Sequence, residues 1–548
     1  MPISGSELVG AALKRQGVDT FFYLMGAPML DAERSSLRHG LRGIDVRHEQ
    51  AAAMMAHAYS RVLNKAGVCM ACSGPGTLNL GTGLANALVD CSPVVALGGS
   101  TPVPEYGMEV FQEFDLVAAM TPLTKWAGRC YDTRRIPEMI DLAFRKALSG
   151  KPGPVYLDLP GDVLFGSVEE DKVIWPSDAR PFVRAKPQGD AALVERAIAL
   201  LAKAQRPVLL SGSGVLWSGA AAALQQWIDQ TGMPFYTTPQ GRGVIPEDHP
   251  QALLGARSAA LKDADLIMVV GTRLNYVFGH GLPPRLNADA KMIRIDIDPM
   301  EIDSSQRADV GIVGDAGAVL GQFAEAAKKR VSKDQFAEWR KRLETIDAGK
   351  VEATERSIST DQVPIHPLRL CKEVRDFISR DTILVVDGQE TLNYGRQTIP
   401  SYLPSHRLNS GPFGIMGVGL PFGVGAKAAR PDKQVVVLHG DGSFGMNGLE
   451  LDTARRHNTP ILVIVSVNGG WSADPKRDKP GRDLGYTRYD QLAQALGCHT
   501  EYVEQPADIR PALERAAKAV KAGQSALVNV VTDATARAGG VRFSASST

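Results

Sequence analysis

Apolar runs without alternation recur along this chain, and most of them break at a glycine-rich turn. Phe21 to Leu24 ends at Met25-Gly26-Ala27-Pro28, Val68 to Cys72 at Ser73-Gly74-Pro75-Gly76, and Val94 to Leu97 at Gly98-Gly99-Ser100. Val155 to Leu159, Pro207 to Gly214, Ala264 to Thr272 and Met292 to Asp298 repeat the pattern. So does Thr382 to Val386, which ends at Asp387-Gly388-Gln389-Glu390. Two more runs, Val435 to Leu438 and Ile461 to Val467, break at Gly440-Asp441-Gly442 and Asn468-Gly469-Gly470. Continuous apolar runs of this length suit strands covered on both faces, as in parallel sheets. Helical stretches fall between them, at about 4–16, Glu49 to Arg61, from Thr77, about 136–148, about 325–356, 443–457 and from about Tyr489. Strand and helix in alternation predict α/β architecture with doubly wound parallel sheets.

The pattern lapses over 166–190, which is charged and proline-bearing and reads as a linker. Three doubly wound parallel-sheet domains are therefore expected, at 1–170, 191–335 and 360–535, in line with the size prior for 548 residues. The basic, polar stretch at 325–356 reads as the approach to the third. The tail, 536–548, is small and polar and reads as disordered.

Composition adds mostly exclusions. With 61 basic and 60 acidic residues the net charge is +1, which gives no support for nucleic acid or an anionic membrane as partner. No apolar stretch reaches membrane-spanning length, and the N-terminus has no charged region followed by an apolar core. Six cysteines are scattered. Cys69 and Cys72 form a CxxC inside an apolar run, which suits buried thiols better than a redox pair; a reducing cytoplasm fits.

The candidate chemistry sits at the carboxyl ends of the last two apolar runs, the edge where open parallel sheets bind ligands. Gly442 and Ser443 open a helix, whose free N–H groups can hold a phosphate. A carboxylate beside a phosphate calls for a hard cation between them. Asp441 and the amide oxygen of Asn468 are suitable ligands, with Mg²⁺ completed by the phosphates. An Asp-Gly turn alone is common between strands. The asparagine at the neighbouring strand end makes the metal-diphosphate reading the stronger one.

Gly-Asp-Gly followed 27 residues on by Asn-Gly-Gly resembles the cofactor motif of thiamine diphosphate (ThDP)-dependent enzymes of the decarboxylase and acetolactate synthase type. The resemblance implies that Asp441, Asn468 and the Gly470 carbonyl bind Mg²⁺, which bridges to the ThDP diphosphate at Gly442 and Ser443. That family usually shows two adjacent asparagines; Val467 stands at the first position and the ligand position is kept. RHEQAAAMMAHAYSR resembles the family's glutamate segment, which implies that Glu49 hydrogen-bonds the pyrimidine ring. A carboxyl group in an apolar site can share a proton with that ring. SGPGTLN contributes Pro75 and Asn79 on the pyrimidine side, and GPFGIMGVGLP implies the Gly414 carbonyl and the Met416 wedge beneath the thiazolium. Phe111 and Gln112 match the segment near the reacting carbonyl, and Ala27 and Trp471 are pocket candidates. In this family the pyrimidine and diphosphate sites lie on different subunits, so a homodimer is the minimum assembly implied, with a homotetramer also expected.

Within the family the chain is most similar to the 2-hydroxyacyl-CoA lyases, near oxalyl-CoA decarboxylase. NGGW, RDLGYTRYDQLAQALG, and Arg257 and Arg396 at CoA-contacting positions carry that likeness. The domains then become a pyrimidine-binding unit, a central Rossmann-like unit that in relatives binds FAD, ADP or CoA portions, and a diphosphate-binding unit. The SGSG of the middle unit lacks dinucleotide spacing and reads as a structural turn. The implied substrate is a branched 2-hydroxyacyl-CoA such as 2-hydroxyisobutyryl-CoA, cleaved to formyl-CoA and an aldehyde or ketone and re-formed by acyloin condensation. Ala27, smaller than the side chain oxalyl-CoA decarboxylases carry there, leaves room for the branch. Oxalyl-CoA decarboxylase itself would need Tyr-Glu where Phe111-Gln112 stand. Acetolactate synthase is suggested by that pair, and benzaldehyde lyase by Pro122 to Trp126. A non-catalytic regulatory subunit of the same fold is opposed by Glu49 and the metal pair.

Overall fold

A computed structural model describes residues 1–176, 181–471 and 478–537. Three parallel sheets carry the chain, each flanked by helices. In the first, β1 (Thr20–Leu24), β2 (Arg42–Asp45), β3 (Gly67–Ala71), β4 (Val94–Ser100), β5 (Trp126–Arg129) and β6 (Val155–Pro160) lie in the order β2-β1-β3-β4-β6-β5. The second holds β7 (Pro207–Ser211), β8 (Phe235–Thr237), β9 (Leu266–Val270), β10 (Lys291–Asp296) and β11 (Val310–Val313), ordered β8-β7-β9-β10-β11. The third repeats the first sheet's topology. Its strands are β12 (Ile383–Asp387), β13 (Arg407–Leu408), β14 (Val435–Gly440), β15 (Leu462–Val467), β16 (His499–Val503) and β17 (Ala526–Val531), ordered β13-β12-β14-β15-β17-β16. The expected α/β class with three parallel-sheet units is what the chain adopts.

Two stretches fold differently from the sequence reading. Ser167–Glu169, inside the expected linker, pairs antiparallel with Pro2–Ser4, so the stretch begins as structure. Arg184, farther along it, donates to the Trp217 carbonyl at 2.6 Å. The segment at 325–356 does not simply lead onward. Helix Ala316–Ala327 buries Val319, Leu320 and Phe323 in the middle core, and Ala337–Ile358 returns to it through Trp339 and Leu343. Those two lie four residues apart on one helical face, enough to dock an otherwise polar helix. Residues 538–548 of the expected tail, and 472–477, lie outside the described residues. Among the described residues no helix is long and apolar enough to cross a membrane. All six cysteines are free; Cys69 is buried in β3 and Cys72 is half-buried at its end.

One packing contact joins the first and third units. Helix α1 (Glu49–Leu63) is buried on nearly every side and lies against α2 (Gly419–Ala429), and both belong to one hydrophobic cluster. A small residue allows the approach: a Cβ at Gly425 would overlap the Met55 carbonyl. Polar contacts fix the register. Gln50 donates to Asn447 at 2.9 Å, and the buried Glu450 accepts from the Arg47 N–H at 3.0 Å and the Thr453 hydroxyl at 2.6 Å.

Burial pushes the Glu450 carboxyl up to about 7, against the pull of those donors. The unfolded chain releases that proton near the ordinary glutamate value of about 4.3. Between these values the folded state binds the extra proton, so this group's contribution falls as pH rises and levels off above 7. Glu450→Gln removes that loss. Relative to the parent protein, the variant is expected to gain on the order of 3 kcal/mol between pH 4.5 and pH 8, measured by denaturant unfolding at several pH values.

Candidate active site

The carboxyl ends of β14 and β15 face one small pocket lined by Asp441, Gly442, Ser443, Asn468, Gly470 and Trp471, with Met416 at its wall. Asp441 is the first residue of helix α3 (Asp441–Asn447) and is buried. One carboxylate oxygen accepts from the Gly442 N–H at 2.8 Å, the other from Gly469 at 2.8 Å and Gly470 at 3.1 Å. The turn after β15 is thus wound around the acid at the end of β14. Gly469 makes this possible with φ of +73°, a conformation glycine adopts without strain. Burial pushes Asp441 up to about 6, against the three N–H groups and the more distant Arg482. The Asn468 side-chain oxygen accepts from Gly470 at 3.2 Å.

A buried carboxylate whose partners among the described residues are N–H groups is a natural seat for a cation, which would return the Coulomb energy lost on burial. The donor set contains one charge only; among the described residues no group of three His, Cys, Asp or Glu converges. Such a set leaves several positions of an octahedral ion to other oxygens, as Mg²⁺ with a diphosphate requires. Gly442 is needed for a second reason: a Cβ there would come within 2.6 Å of the Trp471 ring.

A second, larger cavity of about 440 Å³ opens where the three units meet. Gly414, Met416, Arg257 and Arg396 line it, together with Arg285, Arg273 and Tyr276. Gly388, Gln389 and Met416 line both spaces, so the large cavity and the small pocket share a wall. Arg257 lies over the Phe278 ring at 5.0 Å, and its buried Nε has no hydrogen-bond partner. Burial, with Arg396 and Arg285 nearby, pulls Arg257 down to about 10. Positive charge facing a cavity with a bare N–H favours an anionic ligand.

The remaining candidates gather elsewhere, at the carboxyl edge of the first sheet. Glu49 heads α1, buried, and accepts from Asn79 Nδ2 at 2.9 Å. A Cβ at Gly76 would come within 3.3 Å of the Glu49 carboxylate, so the glycine of Ser73-Gly74-Pro75-Gly76 lets the loop close over it. Gln112 sits at φ +60° and accepts from the Ser73 hydroxyl at 2.8 Å. The Ser73 N–H in turn donates to the Ala27 carbonyl at 3.2 Å. Phe111 is 86% exposed. None of Ala27, Glu49, Pro75, Asn79, Phe111 or Gln112 lines either cavity of the same chain. The candidate residues therefore fall into two separate groups within the chain.

Residues 3–119 match the thiamine pyrophosphate enzyme N-terminal TPP binding domain, 194–323 the central domain and 388–530 the C-terminal TPP binding domain. The chain belongs to the thiamine pyrophosphate enzyme family. It is 34% identical to a probable acetolactate synthase of Mycobacterium bovis over 544 residues, covering 96% of this chain and 95% of the relative. It is 32% identical to 2-hydroxyacyl-CoA lyase 1 of Mus musculus over 534 residues (94% and 92%), and 32% identical to oxalyl-CoA decarboxylase of Escherichia coli K12 over 545 (96% and 95%). The near-equal identities place this ThDP-dependent enzyme among all three and do not choose a substrate.

Sequence reasoning passed over Asp387, where β12 ends. Its buried carboxylate accepts from Gly388 at 2.7 Å and from Gly419 at 2.9 Å, so it holds the start of α2 and the Gly414–Met416 loop ahead of it. The Asp-Gly-Gln-Glu after an apolar run was a visible signal, but the partner 32 residues away was not. Asp387→Ala leaves two buried N–H groups without acceptors and is expected to cost about 1–3 kcal/mol of stability, measured by urea unfolding.

Proposed function

We propose that this enzyme is a ThDP- and Mg²⁺-dependent carbon–carbon lyase that cleaves a 2-hydroxyacyl-CoA, preferably the branched 2-hydroxyisobutyryl-CoA, to formyl-CoA and a ketone or aldehyde. The supporting observation is the arginine-lined cavity that meets the Asp441 pocket at Met416, Gly388 and Gln389. An anionic carrier in the cavity delivers its acyl end to that shared wall, and relatives bearing the name 2-hydroxyacyl-CoA lyase span nearly the whole chain. When bound, ThDP would supply a nucleophilic carbon for the thioester carbonyl and a cationic ring able to accept the electron pair released when the neighbouring carbon–carbon bond breaks.

In this reading Asp441, Asn468 and the Gly470 carbonyl hold Mg²⁺ against the diphosphate, and Gly442 and Ser443 take the phosphate oxygens. Met416 would pack against the bound cofactor and the Gly414 carbonyl would accept from its amino group. Glu49, with Pro75 and Asn79, meets the pyrimidine of a cofactor held by a second copy of the chain, and keeps a proton at the ring nitrogen. That assignment accounts for the separation of the two groups and makes a homodimer, or a homotetramer of two such dimers, the working form. Gln112 stands beside the reacting carbonyl, with Phe111 and Trp471 closing the space and Ala27 leaving room for the branch. Arg257 and Arg396 take CoA phosphates. A cytoplasmic location agrees with the free cysteines.

A second reading, acetolactate synthesis from 2-oxo acids, is favoured by the 34% identity to a probable acetolactate synthase. Incubation with ThDP and Mg²⁺ separates the two. Formyl-CoA from 2-hydroxyisobutyryl-CoA, with none of the acetolactate expected from pyruvate, is the predicted outcome; acetolactate without acyl-CoA turnover would replace the first reading with the second. Glu49→Gln should retain the fold by circular dichroism and lose at least about a hundredfold in kcat, and unimpaired turnover would remove its assigned role.

A further inference from the structure

The turn at 409–412 stands directly ahead of Gly414 and Met416, and all three units of the chain hold it. From the middle unit, Gln240 donates through Nε2 to Asp90 of the first unit at 2.7 Å and to the Asn409 carbonyl of the third at 3.3 Å. Asn409 is returned to the middle unit through the Pro239 carbonyl at 3.5 Å, and its side-chain oxygen accepts the Gly411 N–H at 2.9 Å. Tyr276 donates to the Pro412 carbonyl at 3.2 Å. Arg61, near the far end of the Glu49 helix, reaches the Asn409 and Arg407 carbonyls, both at 3.4 Å.

Asp90 and Gln240 are both buried, so their hydrogen bond lies in a medium of low polarity, and that burial pushes the Asp90 carboxyl up to about 7. The fit against the turn leaves no slack. Gly411 has φ of +64°, and a Cβ on it would overlap Asp90 Oδ1 and Gln240 Nε2. The second Asp90 oxygen has no hydrogen-bond partner and faces this contact. His57 packs 3.4 Å from the other oxygen, so the pair is closed in from the side of α1 as well. Asp90, Gln240, Tyr276 and the turn all line the large cavity. Whatever fills that cavity rests on the same groups that set the height of the Met416 loop.

We propose that Gln240 and Asp90 form a positioning clamp, which fixes the loop carrying Gly414 and Met416 and couples its placement to occupancy of the arginine-lined cavity. Gln240 touches neither reacting atoms nor metal; it acts through the turn. The loop's service to ThDP rests on the proposed function above, but the clamp itself can be read in the protein without cofactor.

Gln240→Met keeps the side chain's length and removes its donors. Hydrogen–deuterium exchange of the full-length, cofactor-free protein is expected to quicken about ten- to a hundredfold over 409–416, with exchange in β7 and β9 unchanged. With cofactor and acyl-CoA, kcat should fall about tenfold or more while KM changes less than about threefold. Tyr276→Phe, a gentler change, should give the same pattern at smaller size, and serves if the first variant does not fold. Unchanged exchange over 409–416 in the folded variant would overturn the clamp. So would quicker exchange spread evenly over the middle unit, or local quickening with kcat intact, since either is a structural role alone. If the parent protein turns over no acyl-CoA, the exchange result still decides the clamp while the proposed substrate fails separately.

Discussion

A carboxylate buried between two strand ends, accepting three N–H groups, is the constraint around which this molecule is arranged. Asp441 draws the Gly469-Gly470 turn across from β15 and so makes one pocket out of two strand ends. N–H groups soften the penalty of burying that charge without cancelling it; the carboxyl still lies well above its ordinary value. Gly442, Met416 and Trp471 line the pocket around that centre.

The second organising contact is helix on helix. Glu49 heads one of the two helices, the Met416 loop precedes the other, and close approach at Gly425 locks their relative position. Glu49 and the Gly414–Met416 loop of one chain are therefore held in a fixed relation although they do not line a common cavity.

Much of the architecture was legible from the residue pattern, for a physical reason. Central strands of parallel sheets are buried on both faces and must be apolar throughout, which made Val435–Gly440 and Leu462–Val467 stand out. Edge strands escape that demand: Trp126–Arg129 and Arg407–Leu408 are too short and too polar to be read, and they were missed. The run at 443–457 read as one helix but breaks at Gly448 into two. Strand ends betray site residues for the same topological reason, hence Asp441 and Asn468. Arg257 and Arg396 came from resemblance alone, because a single arginine carries no pattern. Arg285, Asp387, Asp90 and Gln240 were beyond reach, since what makes each of them matter lies dozens to more than a hundred residues away.

The account stands or falls on a divalent ion between Asp441 and the diphosphate. Isothermal titration of ThDP into the purified protein, with Mg²⁺ present and with metal removed by chelation, tests it most directly. Saturable uptake that requires Mg²⁺, and that disappears in Asp441→Ala while the fold persists, is the result the account predicts. Uptake of equal strength without metal, or undiminished in that variant, would contradict it.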